Sequence, residues 1–250
     1  MYRYKFVIEY SGTASEVGWQ HQPNKVSIQS ILQEAAYKFC QENISFYGAS
    51  RTDKGVHALH QVAHADFSKS YPVTTIKKAL NFHLSVISGQ VAISEVKFVH
   101  SEFHARFDAK IKTYRYDLCI RDCPNVLNKN NWRLISLPNL EEMQAAAKLL
   151  IGQHDFASFR DSQCQAKSSI RTISDIHFSI NGNMISIFFV GQSFLHHQVR
   201  IMVGTLIDIG KGRKEINDII TILDSKDRNF AGPTAPPNGL FLEKIEFVSG

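Results

Sequence analysis

The chain has 250 residues, of which 44% are hydrophobic and 20% are charged. This composition excludes a disordered chain, and no apolar stretch approaches the ~18 residues of a membrane span. The 28 lysines and arginines outnumber the 23 aspartates and glutamates, giving a formal net charge of +5 that favours an anionic partner. Because the first residues run straight into a strand pattern without a signal-peptide core, we expect a soluble, cytoplasmic protein.

The first half of the chain alternates strand and helix patterns. Residues 2–10 alternate apolar and polar side chains, which predicts a strand. A long loop leads to Ser27, a residue type that favours the N-cap of a helix, here predicted over 28–41. The remaining predicted elements of this half are strands over 44–49, 61–67 and 90–99 and a helix over 75–84. This β-α-β-β-α-β order is the split arrangement of ferredoxin-like domains.

The second half repeats this theme. Strands are predicted over 110–120, 169–179, 184–190 and 240–248, and helices over 140–151, 194–209 and 215–223. The repeat is less clean than the first half, and we expect an α+β fold of two halves with mainly antiparallel sheets. The expected domains are residues 1–102 and 103–250, meeting near Val99 to Phe103 with a cleft between them.

The most informative segment runs from Gly48 to His57 and contains Arg51-Thr52-Asp53. It is a short polar connection between predicted strands, a place where catalytic groups are often held. A half-buried carboxylate is costly without a partner, and arginine is the partner that keeps its charge at any relevant pH. The tripeptide taken alone favours a simple turn, in which Asp53 caps its own backbone and Arg51 is solvated.

Taken whole, the segment Arg51-Thr52-Asp53-Lys54-Gly55-Val56-His57 resembles the catalytic loop of the TruA family of tRNA pseudouridine synthases. Other segments that resemble family motifs follow in the family's order and cover nearly the whole chain: Gly18-Trp19-Gln20, Phe103–Phe107, Tyr114–Tyr116, His154–Arg160, Cys164-Gln165, His196–Arg200 and Gly239–Leu242. One short match has little weight, whereas an ordered series is specific. The chain departs from the family pattern at Ser50, at Lys54 and in the segment 11–17.

The resemblance implies an isomerase that converts uridine to pseudouridine at positions 38, 39 and 40 of the tRNA anticodon stem-loop. It also implies two related ferredoxin-like halves whose sheets join around a central basic cleft, in a homodimer. Asp53 is expected as the essential nucleophile or base, with Arg51 paired to its carboxylate when the site is empty. Tyr114 is the candidate ring for stacking on the target uracil, and Tyr116 is its expected partner on the same strand face.

Further substrate-binding residues are expected around this centre. By resemblance, Arg200 reaches the Asp53 carboxylate or a phosphate, although a helix-surface arginine is an equal alternative. Leu242 lines the apolar wall of the base pocket or belongs to core packing. Lys54 adds a phosphate contact or lowers the pKa of Asp53.

Residues 106–121 mix basic and aromatic side chains, and Arg106 is expected to contact RNA there. Cations bind phosphates and aromatic rings stack on unpaired bases, so this mixture suits RNA. The same pattern also fits an amphipathic strand whose lysines extend into solvent.

Two other functions fit parts of the sequence. A non-catalytic RNA-binding module predicts a change at Asp53 or Arg51, and both residues are present. A metal-dependent hydrolase would use His57, His60 and His64, which converge only on a helix, whereas 61–67 has a strand pattern. We expect His57 to lie in the loop and to hydrogen-bond its backbone. The sequence has no phosphate-binding glycine loop, dinucleotide motif or zinc spacing, so no metal or cofactor is expected.

Overall fold

The computed structural model describes residues 1–247 and separates them into two compact units. The first unit comprises Met1–Lys110 together with the last strand from Phe241 onward, and the second comprises Ile111–Leu240. Each unit is a mixed α+β structure with a mainly antiparallel sheet, which confirms the expected fold class. Within the described residues, no helix is both long enough and apolar enough to cross a membrane.

The first unit follows the predicted β-α-β-β-α-β order. Its elements are β1 (Tyr2–Tyr10), α1 (Ile28–Cys40), β2 (Tyr47–Gly48), β3 (His57–Phe67), α2 (Val73–Ile87) and β4 (Val91–Phe98). The strand order β4-β1-β3-β2 is antiparallel throughout, which is the ferredoxin-like arrangement. Ser27 caps α1 as predicted: its hydroxyl accepts from the Ser30 N–H, and the Ser30 hydroxyl accepts from the Ser27 N–H.

The core of the first unit is aromatic. Phe6 on β1 contacts Phe46 and Phe67, with ring centroids 5.3 and 6.4 Å apart. Ile44 and Phe46, in the segment 44–49 that was predicted as a strand, are both buried. Within the described residues the ladder with β3 covers Tyr47 and Gly48, followed by one bond from the Ala49 N–H to the Val62 carbonyl at 2.8 Å, so β2 is much shorter than the predicted strand.

The second unit continues with β5 (Ala109–Ile120), β6 (Trp132–Leu134), α3 (Leu140–Lys148), β7 (Gly152–Asp155), β8 (Ile170–Asn181), β9 (Met184–Gly191), α4 (Gln198–Gly210) and α5 (Asp218–Ser225). Its sheet has the antiparallel order β5-β9-β8-β7, with β6 parallel to β5. The predicted hairpin of β8 and β9 is confirmed, and its turn places Gly182 at a φ of +58°. The short strands β6 and β7 were not predicted, because three or four residues carry too little periodicity.

Helix α4 begins later than predicted. The pattern over 194–209 suggested one continuous helix, but His197 has a left-handed φ of +61° and the helix starts at Gln198. Nearly every residue of α4 is buried, and an extended segment over 231–236 runs beside it. Gly204 allows this close approach, because an added Cβ would lie 2.9 Å from the carbonyl carbon of Pro233.

Strand β10 (Leu240–Phe247) ends the described chain, and the predicted strand end at Val248 lies outside the described residues. Phe241 and Leu242 pair in parallel with β3, which places the strand in the first unit. Residues 103–110 also belong to that unit, since Arg3 donates to the Phe103 carbonyl at 3.0 Å. The two units therefore differ from the predicted division 1–102 and 103–250 at these two places, because long-range pairing groups residues far apart in the chain.

Candidate active site

The segment 48–57, here the Asp53 loop, is held by hydrogen bonds to the loop that follows β1. The Trp19 N–H donates to the Thr52 carbonyl at 3.0 Å, and the Gly55 N–H donates to the Gly12 carbonyl at 3.3 Å. Within the loop, the Val56 N–H donates to the Asp53 carbonyl at 3.1 Å. Backbone bonds on both sides of Asp53 therefore fix its Cα, as a positioned catalytic group requires.

Two glycines permit the close contact between the Asp53 loop and the loop that follows β1. Gly18 has a φ of +86°, and a Cβ there would lie 2.7 Å from the Asp53 carbonyl carbon and even closer to the Thr52 oxygen. Gly48 packs against the Trp19 indole, where a Cβ would lie 2.7 Å from Nε1. The Gly18-Trp19 pair therefore acts as a template for the Asp53 loop, which gives this motif a physical role.

A buried glutamine on β3, which the sequence analysis did not identify, supports the Asp53 loop. Gln61 is fully buried on β3, and its Nε2 donates to the Ser50 carbonyl at 2.7 Å and to the Tyr10 hydroxyl at 3.3 Å. The Tyr10 hydroxyl in turn lies 2.7 Å from Thr52 Oγ1. The polarity of Gln61 was no clear signal in the sequence, because β3 also carries His57, His60, His64 and Asp66. Ser50 has no left-handed backbone, so glycine is not required there.

The expected active-site residues of the Asp53 loop differ in the exposure of their side chains. The Asp53 side chain is half-buried, whereas those of Arg51 and Lys54 are exposed. Arg51 forms no ion pair within residues 1–247, so the expected pairing of Arg51 with the Asp53 carboxylate is wrong for this conformation. The physical reason is that Thr52 anchors the loop in the core while the long guanidinium side chain keeps its hydration outside.

Leu242 and Arg106 also lie in the first unit. Leu242 is fully buried on β10, where its backbone pairs with Ala58 of β3. Arg106 is exposed in a tight turn, and its backbone N–H donates to His104 Nδ1 at 3.1 Å. Leu242 thus packs in the core, whereas the Arg106 guanidinium is available at the surface.

Two tyrosines of the second unit have unequal positions on β5. Tyr114 is 6% exposed, and its ring packs edge-on against Phe194 at a centroid distance of 5.2 Å. Tyr116 is fully buried and donates its hydroxyl to the Pro236 carbonyl at 2.7 Å, and burial raises the pKa of that phenol far above its ordinary value. The expected direct substrate contact of Tyr116 therefore conflicts with its place in the core.

Arg200 lies in the first turn of α4 and is half-buried, which argues against the alternative of a helix-surface arginine. Its Nε donates to the Ala235 carbonyl at 2.7 Å, and the Ala235 N–H donates back to the Arg200 carbonyl at 3.1 Å. Just before the helix, His197 Nδ1 lies 2.9 Å from an Asp161 carboxylate oxygen. These bonds fix the start of α4 and hence the base of the Arg200 side chain.

Two histidines of β3, His57 and His64, accept hydrogen bonds from backbone N–H groups. His57 was expected in the loop, but it is the first residue of β3, because its main chain already pairs with β10. Its Nδ1 accepts the Gly12 N–H at 3.0 Å. Similarly, His64 Nδ1 accepts the Ala105 N–H at 3.1 Å. Burial, followed by the nearby His104 and Arg3, lowers the pKa of His64 from 6.5 to about 4.

The low pKa of His64 predicts acid sensitivity. The folded protein holds this histidine neutral, whereas the unfolded chain protonates it below about pH 6.5, so stability is lost as the pH falls from 6.5 towards 4. A shift of this size corresponds to roughly 3 kcal/mol at the acid end. In His64→Asn, the amide oxygen can accept the Ala105 N–H but does not titrate. We therefore expect the free energy of unfolding of this variant, measured in urea, to depend less steeply on pH over this range. The exposed His21→Asn is the control, and an unchanged slope in His64→Asn would contradict this assignment.

The chain is similar to a known family and to several known proteins. A profile described as tRNA pseudouridine synthase matches residues 7–108 and 146–248. Proteins named tRNA pseudouridine synthase A are similar over nearly the full length. The one from Ehrlichia ruminantium strain Gardel is 42% identical over 98% of this chain and 99% of its own.

Two further relatives with this name agree. The protein from Rhodospirillum rubrum is 42% identical over 99% of this chain and 88% of its own, and that from Wolbachia pipientis wMel is 44% identical over 98% and 100%. A solved Cbf5-Nop10-Gar1 complex matches 80% of this chain and 52% of that chain with 12% identity and a TM-score of 0.32, too low for a conclusion. The full-length matches and the profile show that this chain belongs to the tRNA pseudouridine synthase family.

Proposed function

We propose that this protein converts uridine to pseudouridine in tRNA, at positions 38, 39 and 40 of the anticodon stem-loop. The observation that carries the proposal is the fixed, half-buried Asp53 in a chain of this family. The reaction breaks the bond between uracil N1 and ribose C1′, turns the base and joins C5 to C1′. A carboxylate suits this chemistry, because it attacks carbon as a nucleophile and also accepts protons.

Asp53 is the proposed nucleophile or base, and the remaining residues bind and orient the nucleotide. Arg51 is exposed, and we assign it to the RNA backbone during base flipping rather than to the resting carboxylate. Tyr114 supplies the ring that stacks on uracil, with Tyr116 supporting the same strand from the core. Arg200 binds the carboxylate or a phosphate. Leu242 contributes core packing on β10, and Lys54 and Arg106 bind phosphates.

The proposal extends to a cytoplasmic homodimer whose two halves form a basic cleft for tRNA. The net charge of +5 supports a polyanionic partner. Light scattering on the purified protein tests the homodimer, and a mass equal to a single chain would contradict it.

Release of hydrogen from C5 tests the reaction itself. Pseudouridine formation replaces the C5–H bond by the C5–C1′ bond, so tritium at uracil C5 passes to water. We expect unmodified tRNA labelled at C5 to release tritium from anticodon-arm uridines, with EDTA present throughout. Absence of release would refute the proposed activity. Release that EDTA abolishes would instead favour a metal-dependent enzyme.

Lys54 provides a test of phosphate contact. Its side chain is exposed beside Asp53, so Lys54→Ala is expected to weaken tRNA binding only modestly. The slope of log affinity against log salt concentration should become shallower by the amount expected for about one phosphate contact. Lys38→Ala, which removes an exposed lysine paired with Glu34 on α1, is the control. An unchanged salt slope for Lys54→Ala would remove this lysine from the RNA interface.

A further inference from the structure

The first unit carries an exposed aromatic cluster that the reaction does not explain, here the outer platform of Tyr47, His104 and Phe107. Tyr47 on β2 is 52% exposed and Phe107 is 74% exposed. His104 lies between them, with ring centroids 6.4 Å from Tyr47 and 4.2 Å from Phe107. Large aromatic surfaces at water are unfavourable unless a partner covers them, so this cluster indicates a binding surface.

The platform is rigid below its surface. The Tyr47 ring stacks on buried His64 at 5.1 Å with an interplanar angle of 19°, and His104 meets His64 edge-on at 4.6 Å. His104 is held in turn by its backbone N–H, which donates to the Asp108 carboxylate at 2.8 Å. The rings are therefore preorganised, and binding to them costs little conformational entropy.

The turn that carries His104 and Phe107 also carries an exposed cation. The N–H groups of Arg106 and Phe107 donate to His104 Nδ1 at 3.1 and 3.4 Å, which leaves both side chains on the outside of the turn. The Arg106 guanidinium is exposed, and Lys110 follows in the same exposed state. The carboxylates of residues 101–110 have hydrogen-bond donors nearby: Asp108 accepts the His104 N–H, and Glu102 accepts the Ser101 hydroxyl.

We propose that the outer platform binds an unpaired nucleobase of the tRNA substrate, other than the target uridine, with Arg106 on the adjoining phosphate. Flat rings with a neighbouring guanidinium match a base and its phosphate, whereas a protein partner would not require both. The inference rests on the proposed function, because it takes RNA to be the substrate. It adds a second contact that sets where the anticodon arm lies.

Affinity measurements on the full-length protein test the stacking contact. The probe is a synthetic, unmodified anticodon-arm RNA. Phe107→Ala and Tyr47→Ala are each expected to weaken its binding by roughly 5- to 150-fold, the range for loss of one base stack. Tyr47→Phe should keep the affinity of the unsubstituted protein, because the ring is kept. Phe107→Leu should not, because it keeps apolar area without an aromatic face. Phe82→Ala on α2 removes another exposed phenylalanine and should have no effect.

Salt dependence separates the two parts of the platform. Arg106→Ala should reduce the slope of log affinity against log salt by about one phosphate, whereas Phe107→Ala should leave the slope unchanged. A direct readout is a Phe107→Trp protein, whose tryptophan fluorescence should be quenched by RNA with unpaired bases and much less by a fully paired, blunt-ended RNA duplex. Equal quenching by both RNAs, or unchanged affinity in Phe107→Ala, would overturn the proposal. A changed oligomeric state without loss of affinity would also overturn it in favour of a protein contact.

The platform and the proposed activity fail in different ways. If the unsubstituted protein releases tritium from C5-labelled tRNA but the Phe107 and Tyr47 variants bind normally, the platform is refuted and the activity stands. If tritium is not released while Phe107→Trp is still quenched by the unpaired RNA, the activity is refuted and the platform remains supported as an RNA site.

Discussion

Asp53→Asn is expected to lower tritium release from C5-labelled tRNA by at least about 10³-fold. The amide keeps the size of the carboxylate but has neither its negative charge nor its nucleophilic oxygen. Because the loop is held through main-chain bonds from Trp19 and Gly55, the substitution should leave the fold intact. Single-turnover release of tritium, with protein in excess over tRNA, measures this loss without interference from product dissociation.

A matched variant makes the Asp53 result specific. Asp224→Asn removes an exposed carboxylate on α5 and changes the net charge by the same amount, so it should retain normal turnover. Thermal unfolding of both variants checks that each is folded. Normal turnover in Asp53→Asn would show that the assigned role is wrong, even if the unsubstituted protein were active.

Gly18→Ala is expected to cause the second large loss, although Gly18 carries no reactive group. The added Cβ would press on the Thr52 and Asp53 main chain, with 2.7 Å to the Asp53 carbonyl carbon. The loop must move, and a displacement near 1 Å at a catalytic group costs about 10²-fold in rate. Left-handed strain of roughly 1–2 kcal/mol and a clash of about 1–3 kcal/mol should also lower the unfolding free energy.

Gly89→Ala separates the clash from the backbone strain. Gly89 also has a positive φ, +63°, but its nearest atom to an added Cβ is the Ser85 carbonyl oxygen at 3.6 Å. It should lose stability through strain alone and keep its activity. Urea unfolding and tritium release are measured on both variants. Equal losses of activity would contradict the role of Gly18 as a template for the Asp53 loop.

Local periodicity predicted the first unit well, because its strands and helices carry complete amphipathic patterns. β1 and the Ser27 cap of α1 were confirmed at the predicted residues. The prediction of α4 was wrong at its start, because the apolar pattern continues through His197 while the backbone there turns left-handed. A side-chain pattern reports burial, but it does not report the backbone angle of a single residue.

The candidate site shows the same limit. The motif around Asp53 was visible in the chain, and the family it indicated is confirmed by the full-length comparisons. The roles of Gln61 and Gly12 were not visible, since each acts on residues far away in sequence. The Arg51–Asp53 pair was expected from the resemblance, and a sequence motif does not say whether a long side chain turns inward or into solvent.

The amino-acid sequence by itself determined the family, the α+β class and the residue types available for chemistry, because these depend on local pattern and ordered motifs. The tertiary structure alone decided which residues support Asp53 and which of the two β5 tyrosines is fully buried. It also decided that Tyr47 and Phe107, 60 positions apart in the chain, flank one histidine. The physical reason is that long-range strand pairing and side-chain packing set these neighbours, and neither is encoded in any short stretch of the chain.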